Sequence, residues 1–542
     1  MAARITPERP ADPSRFRGLL DRATSPAGLF VAAAFVITLL PVTSIVHDPD
    51  FWWHLRAGQL ILAHGGLLGT DPFTFTVPTH AWTMHEWLTE VLYAALQSAA
   101  GLGVIVLLLS LVTWGGIACI GLRAALRQPN RFILGLGLLV TAVAGYPIWG
   151  PRVQMVTFCF AALTLLLVER HIVRGGRLVW LLVPLYLLWS NLHSGFIIGL
   201  GFIALVVMAE TVGRWFSAPD RAPAKRLRTL LLVLAACTAV SLINPNGPAI
   251  LVYAFFTQGS GAQQALILEW HSPDFQDWVV VPFGLMLLSL LAMVAVNRRL
   301  RARDAALLIA GVALSLQSVR HIAIFLAAAA SIWIDQATMV ARRLRWQARQ
   351  RPLPSLRFRA AVFAGLIGGL LAGYGAGRLV PAMQVQLSSL TYAQQYPVCA
   401  ARWLAQAPEP LRIFNQYGEG GYLALALSTK GDKIYIFGDA ALMGDALLYK
   451  YASITSVQPG WSQAIRSSGA QIVLYDANTP LADVMRASPS WVEVYHDPLS
   501  VAFVPADEVG TLRLAPVPAS YPPGDPCGRL ATTSVNPNGQ NQ

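Results

Sequence analysis

Long apolar blocks separated by short polar loops dominate the first 380 residues of the chain. The blocks lie at residues 28–46, 102–120, 132–149, 153–168, 178–189, 195–209, 230–243, 279–296, 305–316, 322–334 and 360–379. A membrane-spanning helix needs about 20 predominantly apolar residues, and the shorter blocks reach that length by including flanking Trp, Ser or Asn. The pattern predicts an α-helical polytopic membrane protein with about eleven transmembrane helices in residues 27–379, after an N-terminal segment of residues 1–26.

The pattern changes after residue 379. Residues 433–437 and 471–475 alternate between apolar and polar side chains, which favours strands, and residues 396–405 and 461–468 are amphipathic, which favours helices. We therefore predict a small α/β domain over residues 380–514. Residues 515–542 are rich in Pro, Asn and Gly, a composition typical of a disordered tail.

Composition agrees with a membrane protein. Of the 542 residues, 55% are hydrophobic and only 13% are charged, whereas a soluble domain carries about a quarter charged residues. The mean hydropathy is +0.51. A cytosolic globular protein is therefore excluded.

The positive charge of the chain is concentrated in loops that follow every second span. The clusters are Arg123, Arg127 and Arg131; Arg170, Arg174 and Arg177; Arg214, Arg221, Lys225, Arg226 and Arg228; Arg298, Arg299, Arg301 and Arg303; and Arg342, Arg343, Arg345, Arg349, Arg351, Arg357 and Arg359. Short loops rich in Lys and Arg remain cytoplasmic. We therefore predict a multi-pass protein of the inner (cytoplasmic) membrane, with a cytoplasmic N-terminus, an external (periplasmic) C-terminal domain and no nucleic-acid partner.

The five cysteines fall into two groups. Cys119, Cys159 and Cys237 lie in apolar spans, where packing is their expected role. Cys399 and Cys527 lie in the predicted external region, where disulfides can form. A bridge would tie the tail to the first helix of the domain, and the sequence leaves open whether it forms.

Polar side chains gather in the loops predicted to be external. Of the ten histidines, only His171 is predicted to be cytoplasmic. A single His or Asn at a helix end is usually a cap or an interface anchor. Ionisable groups beside hydrocarbon cost several kcal/mol unless they are paired or hydrated, so a cluster supplied by every external loop indicates a functional cavity.

The residue types in this cluster indicate a cavity that binds an anionic headgroup. Carboxylates can act as bases or hold a metal, and arginine and histidine can bind phosphate. The predicted catalytic acids are Asp48, Asp50 and Glu86; the predicted phosphate-binding residues are Arg152, His193, Arg320 and His321; and the further cavity residues are His54, His85, Asn191, Asn244, Glu269 and His271.

The first external loop, residues 47–90, carries the most information. The acidic Asp48-Pro-Asp50 follows the first span directly, and three aromatic residues, 51–53, come next. We predict an amphipathic helix over residues 50–64 that lies on the membrane, and a second helix that begins at 85–87 and leads into the next span. Trp82 and Trp87 have the positions of an interfacial aromatic belt.

Residues 48–58, 191–196, 243–247, 269–273, 320–321 and 414–422 resemble the GT-C superfamily of membrane glycosyltransferases, and in particular a bacterial group of GT-C-like proteins. The resemblance implies many spans, an external active site and an external C-terminal domain. It also implies a membrane glycosyltransferase that moves a sugar from a polyprenyl-phosphate-linked donor to a glycan, lipid or protein acceptor.

The same resemblance implies roles for the first loop. Asp48 or Asp50 would deprotonate the acceptor hydroxyl or hold a divalent cation such as Mg or Mn. The Asp-Glu of mannosyl- and aminoarabinosyl-transferases is replaced here by Asp-Pro-Asp, which leaves open which aspartate acts and whether a metal is needed.

Three alternatives compete with this hypothesis. A transporter or flippase would usually place ionisable residues near the mid-bilayer and show internal repeats, and the sequence has neither. An O-antigen-type ligase would favour a large external loop between late spans, whereas here the external mass is C-terminal. A non-catalytic assembly protein would use the α/β domain for docking. A nucleotide-sugar site is not predicted, because residues 418–421 favour a turn over a phosphate-binding loop.

Overall fold

The computed structural model describes residues 13–215, 221–345, 353–518 and 520–533. The first twelve residues of the predicted N-terminal segment, Arg349 and Arg351 of the last basic cluster, and residues 534–542 of the predicted tail lie outside these ranges.

The first part of the described chain is helical. Its helices are α1 (Pro13–Ala23), α2 (Pro26–Ile37), α3 (Leu39–Val42), α4 (Phe51–His64), α5 (Trp87–Ala100), α6 (Leu102–Ala125), α7 (Arg131–Ala144), α8 (Gln154–Arg174), α9 (Leu182–Leu192), α10 (Phe196–Trp215), α11 (Ala224–Ser241), α12 (Ala249–Gly259), α13 (Gly261–Leu266), α14 (Val281–Asn297), α15 (Ala302–Gln317), α16 (Ile322–Arg343), α17 (Leu356–Tyr374) and α18 (Val380–Gln384). Each of the eleven predicted apolar blocks overlaps at least one helix, so the helical membrane architecture is confirmed.

The number of spans is not confirmed. Among the described residues, five helices are long and apolar enough to cross a membrane. A bent pair, Arg17–Ala23 with Pro26–Val42, raises this number to six if it counts as one span. Several predicted blocks form shorter apolar helices, such as Arg131–Ala144 with 14 residues and Val281–Asn297 with 17.

Buried ion pairs tie five helices together at the end opposite the C-terminal domain. The guanidinium of Arg127, which follows α6, lies 3.1 Å from Glu169 of α8 and 2.8 Å from Asp304 of α15. It also lies 3.3 Å from Asp335 of α16. Arg303 of α15 pairs with Glu169 and with Glu210 of α10. Buried charges are tolerated only when they are paired, so two basic clusters that are distant in sequence converge on one ionic cluster.

The second part of the chain forms an α/β domain, as predicted. Its elements are α19 (Leu390–Ala393), α20 (Val398–Leu404), β1 (Arg412–Asn415), α21 (Gly420–Leu427), β2 (Lys433–Ile434), α22 (Ala440–Met443), α23 (Asp445–Thr455), α24 (Trp461–Ser467), β3 (Ile472–Asp476), α25 (Pro480–Ala487), β4 (Trp491–His496), β5 (Ser500–Pro505) and α26 (Pro526–Thr533). The sheet order is β2-β1-β3-β5-β4. Strand β1 is parallel to β2 and β3, whereas β5 is antiparallel to β3 and β4.

The tail differs from its prediction. Cys399 of α20 and Cys527 of α26 form a disulfide, which settles the question that the sequence left open. Residues 526–533 are helical and not disordered, and Cys527 and Leu530 are buried against the domain. Composition alone did not predict this order because a covalent tie holds the segment in place.

The aromatic side chains of the first loop lie inside the protein. The predicted amphipathic helix is confirmed as α4, but Trp52 is fully buried, and its ring packs 5.2 Å from Tyr392 and 5.4 Å from Tyr396. Trp82 is also buried, and its indole N–H donates to Asp439 at 2.8 Å. The belt position predicted for Trp82 is wrong, because the C-terminal domain covers this side chain. The location of α4 on the membrane stays a prediction.

The first loop also joins the edge of the sheet. The backbone N–H of Phe75 donates to the carbonyl of Ile434 at 3.1 Å, and the Ile434 N–H donates to the carbonyl of Phe73 at 3.0 Å. The edge of β2 is thereby paired, and the loop and the domain form one layer above the helices.

Replacement of Arg127 by Gln tests the ionic cluster. The change leaves buried carboxylates without a counter-charge, so we expect a loss of about 3–5 kcal/mol of stability and a clearly lower melting temperature in detergent. The matched control is Arg174→Gln, because Arg174 is exposed at the same end of α8. Equal melting temperatures for the two variants would show that the cluster does not stabilise the helices.

Candidate functional site

A cavity of about 720 Å³ lies between the helices and the C-terminal domain. Its walls come from the first loop, the turns before α8 and α10, the segment around α12 and α13, and the start of α16. The loops after β1 and β2 complete it. The predicted site residues that line it are Asp48, Asp50, His54, His85, Glu86, Arg152, His193, Glu269, Arg320 and His321. Residues from five distant loops are therefore brought together, as the sequence predicted.

Three predicted cavity residues do not line it. Asn191 accepts a hydrogen bond from the indole of Trp87 at 3.0 Å, and Asn244 donates to the carbonyl of Ser190 at 2.6 Å. His271 is exposed and contacts the carbonyl of Ala265 at 3.3 Å. The two asparagines hold segments distant in sequence together, whereas the side-chain contact of His271 stays within its own loop. The direction in which a loop side chain points could not be derived from its position in the sequence.

One ionic group in the cavity is centred on Arg152. Its Nε donates to Asp48 Oδ2 at 3.2 Å, and its Nη2 donates to Glu269. Arg320 Nε lies 3.7 Å from the other oxygen of Glu269, and its guanidinium stands 5.1 Å from the centre of the Trp270 ring. Burial acts to raise the pKa of Glu269, but the two arginines lower it, so both cations are anchored by an ionised carboxylate.

A second group surrounds Glu86. The Nε2 atoms of His54, His85 and His193 lie 3.0, 3.1 and 3.2 Å from its carboxylate oxygens. His54 Nδ1 lies 3.2 Å from Glu90. The group therefore joins α4, α5 and the turn before α10.

The histidines hold Glu86 in its ionised form. Burial acts to raise the pKa of Glu86, but the neighbouring imidazoles bring it far below its ordinary value. Burial acts to lower the pKa of His54, and Glu86 and Glu90 outweigh it and raise that pKa to about 9. For His193, burial dominates and lowers the pKa to about 4. Glu86 is thus a poor proton acceptor near neutral pH.

Asp50 differs from the other two predicted catalytic acids. Its Oδ1 accepts a hydrogen bond from the Trp53 indole at 3.1 Å, and within the described residues it has no ion-pair partner. Its surroundings exclude water and Asp48 adds a negative charge, which together raise the pKa of Asp50 to about 7. This is a pKa range suited to a base that works near neutral pH.

The C-terminal domain supplies cavity residues that the sequence did not single out. A Cβ added to Gly438 would lie 1.6 Å from Asp50 Oδ1, so only glycine allows this carboxylate to lie against the backbone. Tyr417 lines the cavity, and its hydroxyl donates to the Gly438 carbonyl at 3.1 Å. Both residues follow the carboxyl ends of parallel strands, where α/β domains usually bind ligands. The sequence contained no signal for Gly438, because the need for glycine there comes from the Asp50 carboxylate that packs against it.

The divalent cation implied for Asp48 and Asp50 can be tested against this arrangement. Asp48 is occupied on one oxygen by Arg152 and on the other by the backbone N–H of Asp50 at 3.2 Å. Over the described ranges, no group of three or more His, Cys, Asp or Glu side chains is arranged to hold a metal ion. The two aspartates therefore do not present a metal-ligand set in this arrangement.

No protein-family model and no curated protein matches the chain. Among solved structures, the chain is similar to the Archaeoglobus fulgidus oligosaccharyltransferase tethered to an acceptor peptide that contains the NVT sequon, with 13% identity, 91% of this chain and 75% of that chain covered, and a TM-score of 0.52. The similarity to AglB from the same organism, in complex with an inhibitory peptide and a dolichol-phosphate, covers 85% and 70% of the two chains at 12% identity with a TM-score of 0.51. The similarity to ArnT from Cupriavidus metallidurans bound to undecaprenyl phosphate covers 91% of this chain and 98% of that chain, at 12% identity with a TM-score of 0.43.

The two oligosaccharyltransferase similarities concern the fold. They confirm the predicted resemblance to GT-C membrane glycosyltransferases as a shared architecture over most of the chain.

Replacement of Gly438 by Ala tests the contact with Asp50. The added methyl group must displace the carboxylate or the loop, and such overpacking typically costs about 1–3 kcal/mol. Gly418→Ala is the matched control, because a Cβ there meets no atom within 4 Å although Gly418 also lines the cavity. We expect a lower melting temperature for Gly438→Ala alone. Identical melting of both variants would contradict the close approach.

Proposed function

We propose that this GT-C-fold membrane protein is a glycosyltransferase that moves a sugar from a polyprenyl-phosphate-linked donor to a glycan, lipid or protein acceptor on the external face of the inner membrane. The observation that carries the proposal is one cavity that contains both a carboxylate with a pKa near 7, Asp50, and an anchored pair of guanidiniums, Arg152 and Arg320. A transfer from a lipid phosphate needs a base for the acceptor and positive charge for the leaving phosphate.

Asp50 is the proposed base. It accepts the proton of the acceptor hydroxyl while the acceptor oxygen bonds to the anomeric carbon of the sugar. The bond between that carbon and the phosphate oxygen breaks, and the lipid phosphate leaves with the electron pair. General bases of this kind typically contribute about 10²–10⁴-fold to the rate.

Arg152 and Arg320 are the proposed phosphate ligands. The N–H groups that are not bound to Asp48 or Glu269 can donate to phosphate oxygens. His321 lies next to Arg320 at the same wall of the cavity. His193 has a different role, because its Nδ1 accepts from the Gly195 N–H and its Nε2 is directed at Glu86.

Glu86 is proposed to position the base. Glu86 directly precedes α5, and its contact with His54 links α5 to α4, the helix that begins directly after Asp50. Its contact with His193 links both helices to the turn before α10. The group therefore fixes the start of α4, and with it Asp50, relative to the arginines. Precise placement of this kind is a large part of enzymatic rate enhancement.

The apolar part of the cavity suits a polyprenyl chain. Its lining includes Ile148, Met155, Ile197, Ile198, Leu266, Leu268, Leu314 and Ile324. The basic clusters favour a cytoplasmic location for the opposite end of the helices, so the cavity and the C-terminal domain would face outward.

The ionic cluster around Arg127 favours an enzyme over a transporter. Alternating access would require the cavity to open towards that end as well. The side chains of Arg127, Glu169 and Asp304 are almost fully buried there and are bound to one another. Opening would separate buried charges at a cost of several kcal/mol.

Replacement of Asp50 by Asn tests the base. We expect turnover to fall by about 10²–10⁴-fold, because the amide cannot accept the proton, while the melting temperature changes little. Turnover is measured in nanodiscs with a panel of polyprenyl-phosphate sugars, with mass spectrometry of the released lipid and the product. Asp274→Asn, in the exposed part of the loop before α14, is the control. Turnover of Asp50→Asn within a few-fold of wild type would remove Asp50 from this role.

The pH dependence of kcat/KM gives a second test. Asp50 must be deprotonated to act, so kcat/KM should rise with pH and level off above about 7, with roughly a tenth of the maximum one pH unit below. Asp48→Asn removes the neighbouring negative charge that raises the pKa of Asp50, so the rise should move to lower pH. A profile that does not move in this variant would contradict the assignment.

A further inference from the structure

The carboxylate oxygens of Asp48 and Asp50 are almost all engaged by the protein. Asp48 Oδ2 accepts from Arg152 Nε at 3.2 Å, and Asp48 Oδ1 accepts from the backbone N–H of Asp50 at 3.2 Å. Asp50 Oδ1 accepts from the indole of Trp53 at 3.1 Å. Of these four carboxylate oxygens, Asp50 Oδ2 is the only one without a hydrogen-bond partner among the described residues. A hard divalent cation such as Mg²⁺ needs a near-octahedral set of oxygens at about 2.0–2.1 Å, and one free oxygen is a poor start for it.

The guanidinium of Arg152 lies between the carboxylates of Asp48 and Glu269. It bridges Asp48 of the first loop and Glu269 of the segment before α14. Although burial acts to lower it, these two carboxylates hold the pKa of Arg152 above its ordinary value, so the charge is permanent. A divalent cation between the same acids would have to displace this guanidinium or lie beside it against like-charge repulsion.

We propose that the guanidinium of Arg152 takes the place of the divalent cation that the GT-C resemblance implies, and that sugar transfer here uses a fixed organic cation between Asp48 and Glu269. This inference rests on the proposed function for its chemistry. Arginine suits the task because its planar fork can hold a carboxylate with some N–H groups and a phosphate with others.

Because Arg152 bridges Asp48 and Glu269, Asp48 and Asp50 have different proposed roles. Asp48 anchors the cation, and Asp50 remains available as the base. Arg320 contacts the second oxygen of Glu269, so one carboxylate sets the spacing of both guanidiniums. The positive charge facing the leaving phosphate then does not depend on the concentration of free divalent ions.

The test is a titration of the full-length protein, freed of metal with EDTA, with Mn²⁺ followed by electron paramagnetic resonance. We expect no stoichiometric binding at sub-millimolar Mn²⁺ in the wild type. Arg152→Gln leaves Asp48 without its ion-pair partner and Glu269 with Arg320 alone. This variant should bind Mn²⁺ at least about tenfold more tightly, which corresponds to about 1.4 kcal/mol. Arg320→Gln is the matched control, because it removes one cavity arginine and leaves the Arg152 bridge intact, and it should resemble the wild type.

The outcomes separate this inference from the proposed function. Stoichiometric Mn²⁺ in the wild type that is lost in Asp48→Asn would overturn the inference. Mn²⁺ that persists in Asp48→Asn but is lost in Glu86→Gln would locate the ion at the histidine group and uphold the role of Arg152. The wild-type titration stands even if Arg152→Gln does not fold, and it needs no turnover, so a missing glycosyltransferase activity would count against the proposed function alone.

Discussion

The contact on which the site depends is the one between the first loop and the C-terminal domain. Trp52 fills the space between α4 and the tyrosines of the domain, and the backbone of Gly438 lies directly against the Asp50 carboxylate. Burying an aromatic ring of this size removes a large apolar area from water, which is a strong driving force for docking. The same contact closes the cavity and moves water away from Asp50. The docking of the domain and the raised pKa of Asp50 therefore have one physical cause.

Charge is used differently at the two ends of the helices. Around Arg127, arginines and acids bind one another and join the end of α6 to α8, α10, α15 and α16. Around Arg152 and Arg320, the carboxylates hold the guanidiniums from one side and leave N–H groups on the other. Buried charge must be compensated in both places. The first arrangement compensates it within the protein, and under the proposed function the second leaves part of the compensation to the phosphate of the donor.

Most of the predicted site residues line one cavity because of the topology of the chain. Once the basic loops were placed on one side, Asp48, Arg152, His193 and Arg320 had to lie near one membrane level, and the cavity contains all of them. Asn191 shows the limit of that reasoning, because membrane level does not determine whether a side chain points into a cavity or ties two loops together. The burial of Trp52 on α4 shows a related limit. An amphipathic helix needs a partner for its apolar face, and the sequence does not say whether that partner is lipid or protein.

The sequence by itself determined the helical membrane architecture, the α/β character of the C-terminal domain and the residue types of the cavity. These follow from local hydrophobic periodicity and from the distribution of arginine, which act over a few residues at a time. Only the tertiary structure decided that Asp48 is bound by Arg152, that Glu86 is held by three histidines and that Asp50 forms no ion pair with another described residue. The disulfide between Cys399 and Cys527 belongs to the same class. Most of these properties arise from contacts between residues far apart in the sequence, such as the 104 positions between Asp48 and Arg152 and the 128 positions between the two cysteines, and no local pattern encodes such a distance.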